Sequence, residues 1–238
     1  MTAARGGPAQ IPLPFRQYDH CRLDQFRSGD NGAVLEHLAG LRPDTGRSIT
    51  CLWGESGTGK SHLLQAMCTA MAGHKGRSAY LPLRQHAALE PAMLQGLEQL
   101  DLVCMDDVET VAGLAAWEHA IFHLFNGLMD AGRLLIFSAA VSPRGLPLQL
   151  PDLKSRLQSG LTFHLLLLPE AERLAALRER ARQRGLELSE EVVAYITRRL
   201  DRDTHSLFQL LDRLDEASLV SKRKLTVPFV KELLEQSE

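Results

Sequence analysis

GESGTGKS, residues 54–61, decides the fold. The octet fits G-x-x-x-x-G-K-[S/T], a loop whose backbone N–H groups wrap phosphate oxygens. Gly54, Gly57 and Gly59 supply the tight turns, and Glu55, Ser56 and Thr58 complete the cradle. Lys60 is expected to reach the β- and γ-phosphates, and the Ser61 hydroxyl to hold Mg²⁺. The motif requires a strand before it and a helix after it. SITCLW (48–53) is a short apolar run of strand type, and SHLLQAMCTAMAG (61–73) has helical character. A helix N-terminus at that point adds favourable potential for an anion.

The same alternation continues outward. SAYLPL (78–83), DLVCMDD (101–107), RLLIFSA (133–139) and LTFHLLLL (161–168) read as further strands. HAALEPAMLQGLEQL (86–100) reads as a broken helix, and 114–132 as a long amphipathic one. Apolar strands separated by helices predict an α/β fold with a parallel five-stranded sheet covered on both faces. Asp106 and Asp107 close the third strand. Asp106 suits the outer sphere of the metal, and Asp107 the orientation of a water. The acid-bearing strand is expected beside the P-loop strand. After Pro169 four segments read as helices: 169–185, 189–201, 206–223 and 228–236, with Ser189 as an N-cap. The expected division is an arm (1–18), a nucleotide-binding domain (19–168) and a small helical lid (169–238).

With 238 residues, 45% hydrophobic and 5% aromatic, the chain can bury a core built mostly of aliphatic side chains. A net charge of −2 argues against a dedicated DNA-binding face, so DNA contact is expected to be weak or indirect. Cys21, Cys51, Cys68 and Cys104 form no CxxC pair and read as reduced, buried thiols of a cytoplasmic protein. The N-terminus lacks a signal peptide's apolar core, and no run is long enough to cross a membrane. His119 and His123 are four apart but lack an HExxH frame and a third ligand. His62 is expected on a helix surface, the run LRERARQRG on a solvated face, and SKRK (221–224) in a basic turn.

A P-loop, a paired acid and a trailing helical segment together look like an AAA+ module. GDN (29–31), LPDLKSRLQSG (150–160) and KLTVPFVKELL (224–234) resemble the Hda branch of the DnaA family, across roughly residues 10–236. That resemblance implies an arginine finger at Arg156, directed at nucleotide on a neighbouring subunit. It implies a sensor I position at Ser138, beside Ala139 and Ala140, which have no polar side chain. It puts His205 where the family has its sensor II arginine. QIPLPF (10–15) resembles the peptide by which bacterial proteins bind the sliding clamp, with Gln10, Leu13 and Phe15 as anchors and Ile11 between them. A proline-stiffened apolar arm of this kind is suited to burial in a partner.

The implied function is inactivation of the initiator DnaA by a clamp-docked protein that holds ADP or ATP with Mg²⁺. A short Asp107 and an imidazole at His205 imply weak hydrolysis by the chain alone. The sequence ends after the lid, so direct origin binding is not expected. Two rivals stand beside this reading: an autonomous ATPase that remodels or loads another protein, and a DNA-recruitment factor. Homo-oligomerisation is left open.

Overall fold

The computed structural model describes residues 21–183, 186, 188–199 and 226–235. Five strands form one parallel sheet: β1 (Ser48–Trp53), β2 (Ser78–Pro82), β3 (Leu102–Asp106), β4 (Leu134–Ala139) and β5 (Leu161–His164). Their order is β2-β3-β4-β1-β5. The acid-bearing β3 therefore does not adjoin the P-loop strand β1, as the sequence reading expected; β4 lies between them, paired to both. Chain order cannot reveal this, because a helical crossover can skip a neighbour. The consequence is a crevice at the carboxyl ends of β1, β4 and β3, the usual ligand position in such sheets.

β3 and β4 are buried at every position, which explains their unbroken apolar runs. One face packs on α1 (Gly32–Gly40) and α2 (Lys60–Gly73) through Val34, Leu38, Leu63, Leu64 and Met67. The other packs on α3 (Ala115–Asp130) and α4 (Pro151–Leu157) through Trp117, Ile121, Phe125, Leu153 and Leu157. Helices α1 and α4 were not anticipated as elements.

Most expected bounds hold to within one or two residues, and two elements differ by more. The broken helix of 86–100 is instead three short stretches of 3₁₀ helix, Leu83–Ala88 (kinked at Gln85), Pro91–Leu94 and Leu97–Gln99. Pro91 and a left-handed Gly96 interrupt the α pattern there. β5 stops at His164, not 168. It is an edge strand with one partner, and that partner turns away into the P-loop after Trp53. Leu165 N–H still reaches the Trp53 carbonyl at 2.7 Å, but the Leu166 backbone pairs with the Asn31 side chain in both directions, at 2.8 and 3.0 Å.

Beyond the sheet lie α5 (Glu170–Gln183), α6 (Glu190–Arg199) and α7 (Val227–Glu235). Leu177, Ala181, Leu186, Val192, Ile196 and Val230 form a separate core. Ser189 caps α6, its hydroxyl accepting the Val192 N–H at 3.3 Å. The expected helix of 206–223 lies outside the described residues. Among the described residues no helix is long and apolar enough to cross a membrane.

Candidate functional site

The P-loop leaves β1 at Gly54 and enters α2 at Lys60. Gly54, Gly57 and Gly59 all have positive φ, at 153°, 81° and 92°. At Gly54 a Cβ would collide with the Leu165 carbonyl, and at Gly59 it would come within 2.5 Å of the Phe26 ring. Glycine is therefore demanded twice over, by conformation and by space. Thr58 is buried, its hydroxyl donating to the Glu55 carbonyl at 2.9 Å, while Glu55 and Ser56 are exposed and Ser61 is half-buried. Lys60 is buried with its Nζ on the carbonyls of Gly54 (2.7 Å) and Glu55 (2.8 Å). Burial pulls its pKa down, against the opposing charges of Asp107, Asp106 and Glu109. His62 is half-buried, not a plain surface residue: its Nε2 lies 3.1 Å from the Arg22 carbonyl and holds the 22–26 segment across α2.

The acids face this loop from β3. Asp106 is almost fully buried, and both its oxygens are engaged. The Tyr80 hydroxyl donates to Oδ2 at 2.6 Å, and the Ser138 hydroxyl donates to Oδ1. Burial, then the Asp106 charge, pushes the Tyr80 phenol far up, so it stays a donor. Ser138 is fully buried and also accepts the Asp107 N–H at 2.9 Å. Its described bonds thus go to the two acids, and it orients them from beneath. Asp107 sits in left-handed backbone at φ 58°, and its carboxylate pairs with Arg84 Nε at 3.0 Å. Burial and the neighbouring Asp106 raise its pKa despite Arg84 and Lys60.

Arg156 stands apart from these groups. It is exposed in the last turn of α4, its guanidinium 6.0 Å from the Phe125 ring centroid. Phe125 lies in the half of α3 that runs down toward the amino end of β4. β5, which follows α4, begins opposite Thr50, roughly 13 Å below Gly54 along the strand. Arg156 is therefore on the helical flank and away from its own P-loop. Among the described residues no carboxylate makes an ion pair with it. The start of α4 is held by Glu118, a carboxylate only 1% exposed. It accepts backbone N–H groups from Gly113 (2.7 Å), Gln149 (3.0 Å) and Leu150 (2.6 Å).

The sequence reading missed Glu118, Tyr80, Arg84, Asn31's clamp and Glu109. Two carried a signal: Glu118 falls inside the apolar stripe of α3, and Glu109 is a third acid just after the Asp pair. His205 and the arm residues Gln10, Ile11, Leu13 and Phe15 lie outside the described residues.

Comparison with known proteins assigns this architecture. Residues 41–164, more than half of the chain, match the family model of the bacterial DnaA ATPase domain. The chain belongs to the DnaA family. Residues 170–234 match the lid domain of Hda. Among solved structures, domain III of the Thermotoga maritima replication initiation protein DnaA superposes with a TM-score of 0.70 at 22% identity, over 90% of this chain and 95% of that one. AMPPCP-bound DnaA from Aquifex aeolicus gives 0.62 at 23% identity, over 82% of this chain and 64% of that one. The Holliday junction branch migration motor RuvB of Thermotoga maritima gives 0.60 at 16% identity, over 92% and 73%. These likenesses share the AAA+ fold.

In this DnaA-family chain the residues fit a nucleotide with Mg²⁺. The glycine loop adopts left-handed backbone at Gly54, Gly57 and Gly59, and three carboxylates (Asp106, Asp107, Glu109) lie near two cations, Lys60 and Arg84. No group of three or more His, Cys, Asp or Glu among the described residues is arranged to hold a metal unaided. Mg²⁺ would arrive with the phosphates, held by Ser61 and, through water, by Asp106. A bound polyphosphate would draw Lys60 from the Gly54 and Glu55 carbonyls. Lys60→Ala is expected to weaken Mg-ADP binding about 10–100-fold, as loss of a charged hydrogen bond does. Equilibrium titration with a fluorescent ADP checks this.

Proposed function

We propose that the chain switches off a DnaA-type initiator. It holds adenine nucleotide, ADP at rest, in its P-loop. It docks on the sliding clamp through Gln10, Ile11, Leu13 and Phe15. It then offers Arg156 to ATP bound by the initiator, whose hydrolysis ends the initiator's active state.

The observation that carries this reading is Arg156: an exposed guanidinium, backed by Phe125, with no described acid to neutralise it and its own P-loop out of reach. A planar, permanent cation suits the charge spread over a transferring phosphoryl group. The Arg84 contact on Asp107 supports slow turnover by the chain itself. The proposed division into arm, nucleotide domain and lid at 18/19 and 168/169 follows from the same scheme, as does a cytoplasmic setting, with four free, buried thiols.

The test is hydrolysis of initiator-bound ATP, with and without this protein and DNA-loaded clamp. Stimulation that needs both supports the scheme, and none refutes it. In a clamp pull-down, the double substitution Leu13→Ala/Phe15→Ala is expected to reduce capture at least about 100-fold, since two apolar anchors are lost. Undiminished capture would remove the docking assignment.

A further inference from the structure

Arg84 comes to the nucleotide site from β2, a strand that supplies no part of the phosphate loop. β2 and β3 run in parallel register and end level, with Pro82 opposite Asp106. Two residues beyond β2 the chain has turned into its first 3₁₀ stretch, and Arg84 Nε donates to Asp107 Oδ2 at 3.0 Å. The two members of this pair are held unequally. Asp107 is fixed at its backbone: its N–H goes to the Ser138 hydroxyl, and its carbonyl accepts both the Thr110 N–H at 3.0 Å and the Thr110 hydroxyl at 2.7 Å. Its side chain is 15% exposed, whereas that of Arg84 is 69% exposed. Among the described residues the Nη groups of Arg84 make no hydrogen bond.

The pair borders the phosphate site. Lys60, the P-loop cation, feels the charges of Asp107, Asp106, Glu109 and Arg84 together. Two cations thus stand against three carboxylates, and a terminal phosphate arriving beside Asp107 adds like charge. A guanidinium within reach has a better partner in that phosphate than in one carboxylate oxygen, because its planar fork can give two parallel N–H···O bonds. An ion pair open to water on the arginine side holds Arg84 only weakly against that exchange. Asp107 is the anchored member and Arg84 the one that can move.

We propose that Arg84 reads the third phosphate: it rests on Asp107 when the P-loop holds a nucleoside diphosphate, and swings to the terminal phosphate oxygens when the loop holds a triphosphate. The proposal rests on the nucleotide-binding reading of the P-loop. It makes Arg84 a specificity-determining residue, adding to the affinity for triphosphate and little to that for diphosphate. Only hydrogen bonds are exchanged, and no covalent bond changes.

The experiment is equilibrium titration of the full chain with Mg-ADP and with the non-hydrolysable triphosphate analogue Mg-AMPPCP. Arg84→Ala is expected to weaken Mg-AMPPCP binding about 10–100-fold, as loss of a hydrogen bond to a charged group does. Mg-ADP binding should weaken no more than about 5-fold, the scale of a lost exposed ion pair. Arg84→Lys keeps the charge and loses the fork, so part of the loss for Mg-AMPPCP should remain. The same Arg84→Ala change made in an Asp107→Asn background separates reading the phosphate from merely neutralising the acid. A selective loss of Mg-AMPPCP affinity that persists in that background supports the proposal. A double substitution that binds Mg-AMPPCP as tightly as Asp107→Asn alone overturns it, as does an equal loss for both nucleotides in Arg84→Ala. A wild type that binds neither nucleotide instead overturns the P-loop reading on which the proposal rests.

Discussion

Arg156→Ala is expected to abolish stimulation of the initiator's ATP hydrolysis while leaving this chain folded, nucleotide-bound and clamp-bound. An arginine supplied in trans contributes about 10³–10⁵ in rate to phosphoryl transfer, so the loss should reach at least about 10³-fold. Structural damage should be slight. The side chain is exposed, and its one described contact, with the Phe125 ring at 6.0 Å, contributes on the order of 0.5–1 kcal/mol. Arg156→Lys retains charge but loses the planar fork, so most of the loss should persist. Hydrolysis of initiator-bound ATP, melting temperature and clamp pull-down, measured on one preparation, separate these effects. Full stimulation by Arg156→Ala would sink the finger assignment.

The second large effect concerns Glu118. Glu118→Ala removes the acceptor for three backbone N–H groups, those of Gly113, Gln149 and Leu150. Each stranded donor costs about 1–3 kcal/mol. Partial hydration of the gap offsets some of this, leaving an expected loss of about 3–5 kcal/mol, or roughly 10 °C in melting temperature. The damage is directional, because Gln149 and Leu150 lead into α4, which carries Arg156. Stimulation of the partner should therefore fall along with stability.

Acid should reveal the same group. Burial pushes the Glu118 carboxyl up, but the hydrogen bonds from Gln149, Gly113 and Leu150 outweigh it and leave the pKa below the ordinary glutamate value. A folded value below the unfolded one means stability that is complete above about pH 4.3 and drains away as pH falls through the folded value. Glu118→Gln removes that dependence. Melting curves taken between neutral pH and pH 3 check it: the wild type should lose more stability than the variant on acidification.

How far the molecule was legible differs from element to element. GESGTGKS needed no fold to be read, because its glycines, lysine and serine act through local backbone geometry. β3 and β4 were legible because strands buried on both faces leave no polar positions. The runs at 86–100 and 161–168 were misread in detail. In the first, a proline and a left-handed glycine break the period; in the second, the apolar run outlasts the ladder that pairs it. Ser138 was legible as a polar residue at a strand end, but its partners, Asp106 and the Asp107 N–H, come from a strand more than thirty residues away.

The sequence by itself determined the parallel α/β domain, the glycine loop between β1 and α2, the acids at the end of β3 and the helical character of the three described segments after Pro169, all of which follow from local periodicity and backbone chemistry. Only the tertiary structure decided that β4 separates β1 from β3, that Tyr80 and Ser138 occupy Asp106, that Arg84 pairs with Asp107, and that Glu118 ties α4 to α3. Each of these is a pairing between groups distant in the chain. Such pairings are set by which strand a crossover skips and by how buried polar atoms find partners, and neither is written in the spacing of neighbouring residues.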